Sequence, residues 1–210
     1  MKQTIIIFLL INTILSEFDE SKVIIIYFTK TGTTEKFAEY IQEFIDVPSY
    51  KIVPATEYPD DYDELKKLSK EEKDKNARPE IKEPITDISN YDIILLGYPL
   101  WNGDIPNILI TQLEILGEKN LKGKKIYPFN THGSSGKQNS VNTIKKYSMG
   151  ADVDDEGFPI KQNDILNEKE ISKNEINKWL NINFGFIPEE DYSKYIKLNY
   201  FISILLYILL

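Results

Sequence analysis

Apolar residues fall in short unbroken runs, separated by stretches of helical periodicity. Residues 23–28 (Val-Ile-Ile-Ile-Tyr-Phe) show no alternation, which predicts a strand buried on both faces of a parallel sheet. Residues 34–45 then place Phe37, Ala38, Ile41, Phe44 and Ile45 on one helical face. A short strand is expected over 50–53 and a charged, solvated helix over 60–75. Residues 77–90, with Pro79 and Pro84, read as a connector. A second strong strand is expected over 92–97, then a helix over 108–116, a strand over 124–129 and a helix over 141–147. A weak last strand falls within 151–160. The final helix is expected over 168–180, with Ser172 and Glu175 as a capping box.

Alternating strands and helices predict an α/β sheet whose right-handed crossovers place the loops after the strands on one edge. Ligands of open sheets sit at that edge, where the strand order reverses. Three such loops carry unusual chemistry: 29–34, 98–106 and 130–140. A sheet of order 2-1-3-4-5 brings them together.

The first loop is Thr29-Lys30-Thr31-Gly32-Thr33-Thr34, between a buried strand and a helix start. A helix start offers unpaired N–H groups and a positive dipole end, and Gly32 lets backbone approach a ligand. The loop lacks the Gly-Lys-Ser/Thr ending of a nucleoside-triphosphate loop and the three spaced glycines of a dinucleotide fingerprint. A phosphate monoester held by hydroxyls and amides is the expected ligand; a plain capped helix is the alternative. The second loop, Tyr98-Pro99-Leu100-Trp101-Asn102-Gly103, sets two large aromatics where a sheet edge meets solvent. They are expected to stack on a planar heterocycle, or else to pack on their own loop. Asp104 either disfavours a nearby anion or caps the following turn. The third loop holds the only histidine, His132, among Thr131, Gly133, Ser134, Ser135 and Gly136. Its glycines expose N–H groups and its hydroxyls add donors. No partner for a hydrolytic triad accompanies His132, and one histidine without cysteines does not make a metal site.

Composition narrows the classes. The chain has 210 residues, enough for one domain with extensions. Its net charge is −8 and its only arginine is Arg78, so no nucleic-acid partner is expected. Without cysteine there is no disulfide, zinc-thiolate site or iron–sulfur cluster. Lys2, the apolar run 4–15 and Ser16 read as a secretory signal over 1–16, implying an extracytoplasmic location, with a cytoplasmic one as the alternative. The run 200–210, in a tail over 188–210, is apolar but too short to span a bilayer comfortably. Any membrane association is expected through these terminal segments alone.

Three quoted segments carry a family resemblance. Thr-x-Thr-Gly-x-Thr over 29–34, Tyr-Asp-Ile-Ile-Leu-Leu-Gly-Tyr-Pro-Leu-Trp over 91–101 and Pro-Phe-Asn-Thr-His-Gly-Ser-Ser-Gly over 128–136 resemble flavodoxin-like proteins. So does Ala-Arg-Pro-Glu over 77–80. The resemblance covers about 21–186, within a domain of 21–187, and implies a three-layer flavodoxin-like fold: a five-stranded parallel sheet of order 2-1-3-4-5 with helices on both faces. It implies FMN as cofactor. Thr29, Thr31, Gly32, Thr33 and Thr34 carry over to its phosphate, with Lys30 as an added cation. Tyr98, Pro99, Leu100 and Trp101 carry over to the isoalloxazine ring, as do Thr131, His132, Gly133, Ser134 and Gly136. The stretch 100–103, including Asn102 and Gly103, would offer a backbone carbonyl to the flavin N5. Asn102 stands where many relatives carry a second aromatic, and Asn130 where many carry cysteine. The implied function is electron transfer to a redox partner protein or a small-molecule acceptor. The alternatives are an FMN-dependent NAD(P)H:quinone-type oxidoreductase and a non-redox binding module of the same fold.

Overall fold

The computed structural model describes residues 19–167 and 170–184. Residues 20–175 form one compact unit that contains the sheet. Among the described residues, the second unit comprises Asp19 and 176–184.

The first strand, β1 (Val23–Tyr27), is buried at all five positions, as its β-branched run requires for a central strand. Helix α1 (Thr33–Gln42), the short strand β2 (Ser49–Lys51) and the charged helix α2 (Tyr62–Asp74) follow. Asp61 caps α2 by accepting the N–H groups of Asp63 and Glu64. Then come β3 (Ile93–Pro99), α3 (Asn107–Leu121), interrupted at Gly117, β4 (Lys125–His132) and α4 (Ser140–Tyr147). The chain continues through β5 (Asp152–Val153), β6 (Phe158–Lys161), α5 (Gln162–Leu166) and α6 (Glu170–Phe184).

The strands are parallel and ordered β2-β1-β3-β4-β5, the order expected, with β6 also pairing with β4. The weak last strand is thus two pieces along the free margin of β4. Residues 154–157 stand opposite Tyr127 and Pro128 alone, and this surplus splits the strand as a bulge does.

Strand alternation divides the core. Ile24, Ile26, Phe28, Ile94, Leu96 and Tyr98 share one cluster with Ile108, Leu109 and Leu113 of α3 and Val141 and Ile144 of α4. On the other face Phe37 of α1 meets Phe129 edge to face at 4.8 Å. Gly97 makes this fit possible: a Cβ there would lie 2.3 Å from the Phe129 ring.

Two boundaries differ from expectation in ways that matter. β3 runs to Pro99 rather than 97, and β4 to His132 rather than 129, because Tyr98 and Pro99 continue the ladder against Asn130 and Thr131. The capping box is also corrected. Helix α6 already runs from Glu170, so Ser172 lies inside it rather than at its start. In the second unit Trp179 and Phe184 meet edge to face at 5.7 Å. The signal-like segment 1–16 and the tail 188–210 lie outside the described residues.

Candidate functional site

The first loop leaves β1 and turns into α1 through Gly32, which takes the left-handed φ of 82° as N-cap. Glycine has no side chain to cap the helix, so the first-turn N–H groups meet the loop without a side-chain acceptor from that position. The hydroxyls brace the loop. Thr29 Oγ1 accepts the Gly32 N–H at 3.0 Å, and Thr31 and Thr33 hydroxyls lie 3.2 Å apart. Lys30 does not stand alone over the loop, for its Nζ donates to the exposed Asp60 at 2.6 Å. That hydrogen bond and the lysine charge hold the Asp60 carboxyl below the usual range.

Thr34 is buried and hydrogen-bonded to the buried Thr131 across 3.0 Å. Leu100 N–H donates to the Thr131 carbonyl at 2.9 Å, and Pro99 pairs with Thr131 in the sheet. Thr131 therefore touches both other loops, and the three loops do converge on one edge.

Tyr98 corrects the sequence reading. Its side chain is 0% exposed and donates to Ser140 Oγ at 2.9 Å. Because β3 continues through it, alternation sends it to the same face as Leu96, into the core. Its place is structural, and Trp101 is left as the aromatic of this loop at the edge. Trp101 is half-buried and stands edge to face against Phe28 (5.4 Å) and Tyr58 (5.1 Å).

Residues 101–104 form a tight turn. Trp101 and Asp104 exchange two backbone hydrogen bonds of 2.9 Å, with Asn102 and Gly103 at φ 48° and 74° between them. Two positive φ values in a two-residue connection are what Asn-Gly supplies. That dipeptide accounts for Asn102 at this position, and its signal is legible in the sequence. The Asn102 side-chain amide points to α2, donating to Ser69 Oγ at 2.9 Å, while the Asn102 backbone carbonyl accepts from Lys73 Nζ at 2.9 Å.

Asp104 acts as neither anion guard nor simple cap. Only 6% exposed, it accepts the Ile105 N–H and the Asn139 amide at 2.9 and 3.0 Å, and pairs with Lys73 at 3.5 Å. The Gly103 carbonyl also accepts the Asn139 N–H at 3.2 Å. Asn139 thus latches the third loop to the second, and Ser69 and Lys73 tie the second loop to α2. Nothing in local sequence marks them, since each lies about thirty residues or more from the turn.

The third loop begins later than expected, because Asn130, Thr131 and His132 belong to β4. Asn130 ties it down by donating to the Gly136 carbonyl at 3.2 Å. Between these anchors Gly133 and Ser134 are exposed, and neither Gly133 nor Gly136 has an atom near its missing side chain. The His132 Nδ1 is buried without a hydrogen-bond partner among the described residues. Burial and then Lys161 lower its pKa, against an opposing pull from Asp164, so the imidazole is neutral at pH 7. An orphaned ring nitrogen beside open glycines is an unmet hydrogen-bonding demand at the loop.

The stretch 77–80 has a scaffolding place. Arg78 clamps Glu114 of α3 through two hydrogen bonds of 2.6 and 2.8 Å and lies 5.1 Å over the Tyr147 ring of α4. A cavity of about 560 Å³ adjoins the first loop on the β2 side, between Thr29, Lys30, Phe28, Tyr58 and Val53.

A sequence model of the flavodoxin family matches residues 22–183. No curated protein matches the chain. Among solved structures, a candidate flavoprotein from Bacteroides eggerthii is similar at 31% identity and a TM-score of 0.63, over 77% of this chain and 97% of that one. A second, from Bacteroides uniformis, shares 25% identity with a TM-score of 0.62 over 76% and 97%. A flavoprotein in complex with FMN from Lactobacillus acidophilus shares 24% identity with a TM-score of 0.58 over 70% and 97%, a likeness of fold. With a family match across the whole sheet and the strand order of that fold, the chain belongs to the flavodoxin family.

Proposed function

We propose that the chain binds FMN at the carboxyl edge of its sheet and passes electrons through it to a redox partner protein or a small-molecule acceptor. One observation carries the reading: an uncapped helix start behind Gly32, the half-buried Trp101 and the unpartnered Nδ1 of His132 lie on loops joined through Thr131. These residues fit FMN. The N–H groups at the start of α1 and the hydroxyls of Thr31 and Thr33 suit a dianionic phosphate. Trp101, with Pro99 and Leu100, offers an apolar wall for a planar ring. Gly133 and Gly136 leave room for close backbone approach, and His132 is available to a polar group of the ring system. Bound FMN would supply the one- and two-electron chemistry; the protein supplies binding, orientation and charge. Its net charge of −8 opposes further negative charge at the site and favours a low potential. The FMN complex of the Lactobacillus acidophilus protein supports the cofactor assignment.

The cavity beside Thr29 and Lys30 favours a second reading, an FMN-dependent NAD(P)H:quinone-type oxidoreductase, since such an enzyme needs room for a small acceptor. Titration of the purified chain with FMN and with riboflavin tests the main reading. FMN is expected to bind much more tightly, because riboflavin has no phosphate for the first loop. Equal affinity, or none, would remove the reading. Steady-state NADPH oxidation with a quinone then separates enzyme from carrier.

A further inference from the structure

Behind Trp101 lies an aromatic group that binding FMN does not require. Phe28, Tyr58 and Trp101 meet in pairs, edge to face, at 5.7, 5.4 and 5.1 Å between ring centres. Tyr58 is 5% exposed, and its hydroxyl donates to Glu72 Oε2 of α2 at 3.1 Å. A ring in direct contact with tryptophan, whose only polar atom is bonded to a carboxylate, is arranged for coupled electron and proton transfer.

We propose that Trp101, Tyr58 and Glu72 form a hole relay, in which oxidised Trp101 is reduced by Tyr58 while the phenolic proton of Tyr58 passes to Glu72. The electron fills the vacancy on the indole. The O–H bond of Tyr58 breaks, an O–H bond forms on the Glu72 carboxylate, and a neutral tyrosyl radical remains. The oxidant at Trp101 is a light-excited flavin, and this part rests on the flavin reading. Bound FMN would serve as the one-electron acceptor for the indole and as the later donor to Tyr58, with Glu72 returning the proton, so that nothing is consumed. The relay draws the oxidising equivalent off the site-lining tryptophan and into the core.

The electrostatics agree with this geometry. Burial, and then the Glu72 charge, hold the Tyr58 hydroxyl far above the phenol range, so it does not ionise before it is oxidised. Burial likewise raises the Glu72 carboxyl, which makes its ionised form a stronger base.

The relay can be tested without flavin. The full chain, free of FMN, is oxidised at tryptophan by azidyl radicals in a radiolysis pulse, and transient absorbance follows the tryptophanyl and tyrosyl radicals. First-order conversion of the first into the second is expected, independent of protein concentration and slower in D2O. It should be lost in W101F and in Y58F, and slowed about a hundredfold in E72Q, the lower end of what a positioned base contributes. Conversion at the parental rate in Y58F would overturn the relay, as would unchanged rates in both E72Q and D2O. If circular dichroism shows a variant unfolded, the D2O measurement on the unaltered chain decides alone. A chain that binds no FMN but shows the conversion loses only the flavin reading; one that binds FMN without the conversion loses only the relay.

Discussion

The first loop and the 101–104 turn share one edge of the sheet but are ordered from different distances. The first loop braces itself: Thr29 holds Gly32, and the Thr31 and Thr33 hydroxyls meet, all within six residues. Its long ties are Thr34 to Thr131 in the core and Lys30 to Asp60 at the surface. The turn is ordered from afar, by Ser69 and Lys73 of α2 and by Asn139 at the start of α4. A locally braced loop keeps its anion-binding geometry when distant parts change. A latched turn responds as one with the helices that hold it, so defects there should lower stability and ring binding together.

The largest effect should come from cutting the latch at its centre. Asp104→Ala removes the acceptor of the buried Ile105 N–H and one partner each of the Asn139 amide and Lys73, and is expected to lower stability by about 3 kcal/mol, measured by urea unfolding. Asp104→Asn, which still accepts hydrogen bonds, should recover part of it. Asn102→Ala comes next. It loses the bond to Ser69, worth about 1 kcal/mol, and places alanine at positive φ for about 1 kcal/mol more. Asn102→Gly should avoid the second cost, and equal losses in the two variants would argue against the turn geometry.

The first loop should break differently. Thr31→Asp sets a carboxylate at the exposed loop tip beside the helix start. FMN affinity should fall about tenfold, near 1.4 kcal/mol, while riboflavin affinity and stability hardly change. A fall for both ligands would place Thr31 away from the phosphate. The smallest effect concerns His132, the only histidine. Its folded pKa lies below the ordinary value, so the unfolded chain binds more protons as pH falls through the histidine range. Stability contributed by the neutral ring is present above that range and lost below it. His132→Asn should therefore show a shallower loss of stability from about pH 7 to pH 5.

The same contrast explains what was legible in the sequence. The apolar runs of β1, β3 and β4 and the loop of threonines around Gly32 could be read because their signals are local, and the strand order followed from the family resemblance. Tyr98 could not be assigned correctly from its neighbours. A Tyr-Pro pair before a Trp looks like a loop, and only the ladder against Asn130 and Thr131 shows that β3 continues through it. The latch escaped notice for the reverse reason, since Lys73 and Asn139 look like ordinary surface residues until the fold brings them to Asp104. The split of the last strand likewise depends on register with β4.

The central claim is that phosphate and ring are received by different loops. Backbone amide NMR of the flavin-free chain, titrated first with inorganic phosphate and then with FMN, tests it most directly. Phosphate alone should shift the amides of 31–34, and FMN should shift these together with 100–103 and 132–136. If saturating FMN leaves the amides of 31–34 unmoved, the first loop is not the phosphate site and the account fails.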